Sequence, residues 1–69
     1  MTHERKIIRL RKVIEMTGLG RSTIYKAVKD GLFPSQISLG PRAVGWLEPD
    51  IQQWLDSRIM LSRGIKHVP

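Results

Sequence analysis

Residues 17–25, Thr17-Gly18-Leu19-Gly20-Arg21-Ser22-Thr23-Ile24-Tyr25, decide how this chain folds, because they hold the stop of one helix and the start of the next. Gly18 has no Cβ and can take the left-handed conformation that ends a helix. Leu19 is the one large apolar side chain of the turn and is placed to be buried between the two helices. Gly20 stands at the N-cap position of the segment that follows. Beyond it the chain turns basic and hydroxyl-rich, with side chains that face outward.

Upstream of this turn, Leu10, Val13, Ile14 and Thr17 fall at i, i+3, i+4 and i+7, which predicts a first helix from about Arg11 to Thr17. It has no Ser, Thr, Asp or Asn cap, and Arg11 and Lys12 sit at the positive end of its dipole, so packing must hold it. The stretch Lys6–Leu10, β-branched at Ile7 and Ile8, suits a short edge strand. Downstream, a second helix is expected from Arg21 to Lys29 or Asp30, closed by Gly31 in the left-handed region and kept from continuing by Pro34. Ile24 and Val28, with Ala27 beside them, form its apolar stripe. Ser22, Tyr25, Lys26 and Lys29 form the opposite one.

After Phe33-Pro34, the alternation Gln36-Ile37-Ser38-Leu39, a turn at Gly40-Pro41-Arg42 and Val44-Gly45-Trp46 predict a β-hairpin with one buried face. Leu47-Glu48-Pro49-Asp50 opens a third helix, with Pro49 at its first helical position and acids at its positive dipole end. Ile51, Trp54, Leu55 and Ile59 make its apolar side, and the pattern fades from Met60. The fold class that follows is mainly α with a small β-hairpin: a winged helix-turn-helix of three helices plus wing. The chain reads as a single domain over 1–69, with ends 1–5 and 61–69 flexible.

The 69 residues include no cysteine, so disulfides and thiolate metal sites are excluded, and His3 and His67 lie near opposite ends without a ligand set between them. No cofactor or metal is expected. No apolar run suits a membrane span and the charged start lacks the apolar stretch of a signal peptide, which points to a soluble cytoplasmic protein without a membrane partner. The acids are scattered, Ser22 and Thr23 have no neighbouring histidine in sequence, and the glycine pairs fit no phosphate-binding loop, so the chain does not read as an enzyme.

The net charge of +6 is unevenly placed. Between Arg5 and Lys29, eight basic residues (Arg5, Lys6, Arg9, Arg11, Lys12, Arg21, Lys26, Lys29) face one acid, Glu15. Between Asp30 and Ser57, Arg42 stands alone against Asp30, Glu48, Asp50 and Asp56. A basic half of this kind suits a polyanion, although a merely solvated surface has the same composition. Combined with a two-faced second helix and a hairpin, it suits double-stranded DNA: the helix fits the major groove and the hairpin tip reaches the neighbouring backbone. The candidate readers are Arg21, Ser22, Thr23, Tyr25 and Lys26, with Lys29 on a phosphate and Arg42 as the wing contact. Simpler roles stand beside three of these: Thr23 as a local cap, Tyr25 as half-buried packing and Arg42 as a solvated turn residue. Trp46 and Trp54 lie on apolar faces and are assigned to the core, joining the wing to the third helix. Arg5, Lys6, Arg11 and Lys12 read as general electrostatic attraction.

Thr17-Gly18-Leu19, Arg21-Ser22-Thr23-Ile24-Tyr25, Phe33-Pro34, Leu39-Gly40, Arg42-Ala43-Val44-Gly45-Trp46 and Trp54-Leu55 resemble, in order and spacing, the AlpA family of prophage regulators, over about residues 7–56. The resemblance implies a small winged-helix fold akin to excisionase and MerR-type DNA-binding domains. It also implies a regulator of an integrated element that activates an integrase or excision gene, or acts as a recombination directionality factor. An integrase is a further partner under this reading, and a module that recruits one, using Met60, Leu61, Ile65 and Val68, is the alternative. Because a single module of this size buries little surface on DNA, a homo-oligomer on repeated sites is expected. One departure stands out: Gly20 occupies a position where the family usually has serine, which removes a side-chain cap and any phosphate contact that serine makes.

Overall fold

The computed structural model of the chain describes residues 6–64. Its elements are β1 (Ile7–Ile8), α1 (Leu10–Thr17), α2 (Arg21–Lys29), β2 (Ile37–Gly40), β3 (Ala43–Leu47) and α3 (Glu48–Gly64). This is the expected winged helix-turn-helix of three helices and a hairpin, enlarged by one strand. β1 pairs with β3, giving an antiparallel sheet of order β1-β3-β2. Ile7 lies opposite Leu47 and Ile8 opposite Trp46, and the Glu48 amide donates to the Lys6 carbonyl at 2.8 Å just as α3 begins.

The turn between α1 and α2 forms as its residues dictate. Gly18 has φ 76° and its amide closes α1 onto the Ile14 carbonyl at 2.8 Å. The Thr17 hydroxyl donates to the Val13 carbonyl at 2.8 Å and accepts from the Leu19 amide at 3.1 Å, so one side chain ties the last turn of α1 to the linker. Leu19 packs against the core from between the helices. At the far end of α2, the Gly31 amide donates to the Val28 carbonyl (3.1 Å) and the Leu32 amide to that of Ala27 (2.8 Å), the paired bonds of a Schellman cap.

Ile8, Val13, Ile24, Phe33, Trp46 and Ile51 form the core, so every described element except β2 contributes a buried side chain, together with the 32–34 segment. Gly45, in the central strand, is needed for space. A Cβ there would stand 2.7 Å from the Ile7 Cγ2, 3.0 Å from the Ile8 carbonyl oxygen and 3.1 Å from the Leu39 Cδ1. The two outer strands close over the middle one only because that side chain is missing.

Trp46 and Trp54 pack as expected, in or against one cluster that also holds Ile51 and Leu55 of α3, and both indoles also bond to the 32–34 segment. The Trp46 indole N–H donates to the Pro34 carbonyl (3.0 Å) and that of Trp54 to the Leu32 carbonyl (2.9 Å). Phe33, between those carbonyls, meets the Trp54 ring edge-on at 4.8 Å. Both tryptophans therefore pin the 32–34 segment, Trp46 from β3 and Trp54 from α3. The fully buried Trp46 indole finds an acceptor for its one donor, which removes the cost of burying it unpaired.

Two expectations for α3 are corrected. Its helix continues to Gly64, past the fading of the pattern at Met60, and Ile59 is 52% exposed instead of packed beside Ile51, Trp54 and Leu55. By that turn the helix has outrun the sheet: residues 56–63 are all exposed. Helix propagation costs little once its first turns are held, so the backbone continues where packing ends. The remainder of the expected flexible ends, 1–5 and 65–69, lies outside the described residues, as do His3 and His67.

Candidate nucleic-acid interface

α2 has a fixed inner side and a free outer one. Ile24 is fully buried, and Ala27 and Val28 are partly buried against the core. Arg21, Ser22, Thr23, Tyr25, Lys26 and Lys29 are all exposed. The helix is held from behind by one isoleucine and its neighbours, which leaves the other side as a row of donors on a rigid support.

The helix starts without a side-chain cap: Gly20 has extended geometry (φ −82°, ψ 167°) and no side chain closes the first turn. Thr23 therefore does not act as a cap, and its hydroxyl faces solvent. A Cβ at Gly20 would meet nothing within 4 Å, so a serine fits there without rearrangement. Backbone N–H groups at the start of α2 remain unsatisfied by side chains beside Arg21, an arrangement that favours an anion.

Tyr25 is half-packed and half-open. Its ring centroid lies 6.4 Å from that of Trp46, tilted at 45°, yet the residue remains 39% exposed. It leans on the wing's central strand while staying part of the outer side of α2. Lys26 pairs with Asp30 one turn on at 3.5 Å, with side chains 76% and 44% exposed. Such a solvated pair is worth a few tenths of a kcal/mol at most and yields readily to a phosphate or a base edge.

Arg42 sits with Pro41 in the tight turn between β2 and β3, exposed at the wing tip. The hairpin pairs Ile37 with Gly45, Ser38 with Val44 and Gly40 with Ala43, and the register shift between Ser38 and Gly40 is a bulge at Leu39 just before that turn. A second basic cluster joins the ones read from sequence. Lys6, Arg9, Arg11 and Lys12 line a shallow groove with Ile8 and Glu15, where β1 meets the first turn of α1. Arg9 was not among the candidates; its charge was visible in the sequence, but its convergence with Lys6, Arg11 and Lys12 arises where the strand turns into the helix. Among the described residues, no group of three or more His, Cys, Asp or Glu could hold a metal ion. No described helix is long and apolar enough to cross a membrane.

Residues 6–59 match the family model for the prophage CP4-57 regulatory protein AlpA. The chain belongs to the AlpA family. It is 40% identical over 62 residues to the DNA-binding transcriptional activator AlpA of Escherichia coli K12, an alignment covering 81% of this chain and 89% of that protein. It is also 42% identical over 59 residues to the uncharacterized protein ORF88 of Enterobacteria phage P4, covering 86% of this chain and 66% of the phage protein. The matched span contains the turn, all of α2, the wing and the packed part of α3, and it ends at Ile59, where α3 leaves the body of the AlpA-family fold.

Proposed function

We propose that this chain is a sequence-specific DNA-binding transcriptional regulator of a prophage or integrative element, activating an integrase or excision gene. The observation that carries this reading is the outer side of α2, where Arg21, Ser22, Thr23, Tyr25 and Lys26 stand exposed on a helix anchored by the buried Ile24. Laid in a major groove, these side chains offer donors to base edges, while Lys29 and the wing-tip Arg42 meet phosphates on either side. The basic groove around Arg9 and Arg11 adds attraction that is independent of sequence. The E. coli relative is a DNA-binding transcriptional activator, which supports the same reading. Copies on repeated sites supply the affinity that one small module lacks. The integrase-recruiting alternative draws on Met60 and Leu61 in α3 and on Ile65 and Val68, which lie outside the described residues, and no feature of α2 or the wing calls for it.

A gel-shift titration tests the proposal, using the DNA upstream of the chain's own gene and of a neighbouring integrase gene against random duplex. Preference for the upstream DNA that persists at about 150 to 200 mM salt supports sequence reading. Binding that becomes indifferent to sequence at that salt contradicts it.

A further inference from the structure

The last two turns of α3 carry a pattern that neither the fold nor the DNA-reading side uses. Asp56, Ile59, Met60 and Arg63 fall at i, i+3, i+4 and i+7, so they form one stripe along the helix. All four are exposed, with Ile59 at 52% and Met60 at 63%. Among the described residues neither Asp56 nor Arg63 has an ion-pair partner within the chain. The stripe has an acid at one end, a base at the other and two apolar side chains between them. Arg58, by contrast, is engaged above the Trp54 ring at 5.7 Å, and Leu61, also exposed, lies on the far side of the helix.

A stripe with that order of groups is complementary to itself when reversed. Two copies of α3 packed antiparallel about a two-fold axis between Ile59 and Met60 set Ile59 against Met60 of the other copy, twice. The same axis sets Asp56 against the other copy's Arg63, also twice. We propose that this stripe is a self-pairing surface whose occupant is a second copy of this chain. Its length, eight residues or about 10 Å from Asp56 to Arg63, bears on how strongly it acts. Four side chains fall well short of the roughly 800 Å² per partner of a stable interface. The pairing is therefore weak between free copies and takes effect when DNA holds two of them side by side, where tethering raises the effective concentration to the millimolar range. Because the contact is two-fold symmetric, the DNA sites it serves are inverted and not direct repeats. This inference rests on the DNA-reading function proposed above and names the surface and symmetry of its oligomer.

The test uses the full chain and a duplex that it selects from a random pool, first as a single site and then as inverted and direct repeats at a series of spacings. Expected on the best-spaced inverted repeat is a second copy binding about tenfold more tightly than the first, with no such gain on direct repeats. Asp56→Arg alone and Arg63→Asp alone each place like charges together and abolish the gain. An equal mixture of the two variants restores it, since each then offers the charge that the other lacks. Leu61→Ser, off the stripe, leaves it unchanged, and each variant's single-site affinity reports folding separately. The inference is overturned if either charge variant keeps the wild-type gain, if the mixture fails to restore it, if Leu61→Ser removes it, or if direct repeats show it equally. Sequence-selective single-site binding without cooperativity overturns the pairing but leaves the DNA reading intact; failure to select any duplex overturns both.

Discussion

The two sides of the region between Gly20 and Trp46 differ in what holds them. On the inner side, Ile24 and Trp46 are fully buried, the Trp46 indole is bonded to Pro34, and Gly45 leaves room for the outer strands. On the outer side, Arg21, Ser22, Thr23 and Lys29 are solvated, and Lys26 is held only by an exposed pair with Asp30. Substitutions on the first side should act on stability, and those on the second on binding. Tyr25 spans the boundary, with its ring near Trp46 and its outer edge in solvent. The fold thus separates a buried support from an exposed polar and basic row within one nine-residue helix and one hairpin.

The largest effect belongs to the inner side. Trp46→Ala empties the largest fully buried side-chain position and leaves the Pro34 carbonyl without its donor. Such a truncation costs about 3 to 5 kcal/mol. A domain of this length has only roughly 3 to 10 kcal/mol in total. The variant is expected to show no cooperative thermal transition by circular dichroism at temperatures where the wild type is folded. A transition shifted by only a few degrees would mean that the bond from Trp46 to Pro34 and the packing of its ring are dispensable. Gly45→Ala comes next: its methyl must displace Ile7 and press on the Ile8 carbonyl, at about 1 to 3 kcal/mol. The melting temperature should fall by about 4 to 8 °C per kcal/mol lost. An unchanged melting temperature would show that β1 yields without cost.

Gly20→Ser is the mildest change and lies where the two sides meet. A serine there meets no obstruction and caps α2, raising stability by a few tenths of a kcal/mol. Urea titration should show a slightly higher midpoint at unchanged slope. A lower midpoint would mean that the uncapped start of α2 is satisfied in some way that the extended geometry at Gly20 does not show.

Much of this division was readable from residue order alone. Gly18 and Gly31 marked both helix ends, the 3.6-residue period separated Ile24 from Ser22 and Lys26, and the alternation around Gly45 marked the hairpin. What escaped depends on distances along the chain that periodicity does not carry. Ile7 and Ile8 suggested an edge strand, but not that β3 would be its partner some 38 to 40 residues away. The two tryptophans were read as core, yet their acceptors lie 12 and 22 residues off, at Pro34 and Leu32. Ile59 fell on the apolar side of α3 by spacing, but spacing gives direction and not reach, and by Ile59 the sheet has ended. For the interface, the outward positions on α2 were legible because helix geometry alone determines them. Arg9's place beside Lys6, Arg11 and Lys12 was not, because it depends on how the chain turns from β1 into α1, which neither the strand nor the helix period gives alone.

The most direct test of recognition by the outer side is selection from a randomised duplex pool, with wild type, Lys26→Ala, Ser22→Ala and Arg42→Ala compared at one salt concentration. All four should melt alike, within about 0.5 kcal/mol, since none of the three residues is buried. Lys26→Ala and Ser22→Ala are expected to relax the selected sequence at particular positions, each by about 1 to 3 kcal/mol. Arg42→Ala should weaken binding to all sequences about equally. If Arg42→Ala shifted the preference while Lys26→Ala and Ser22→Ala left it unaltered, α2 would not be the reading element.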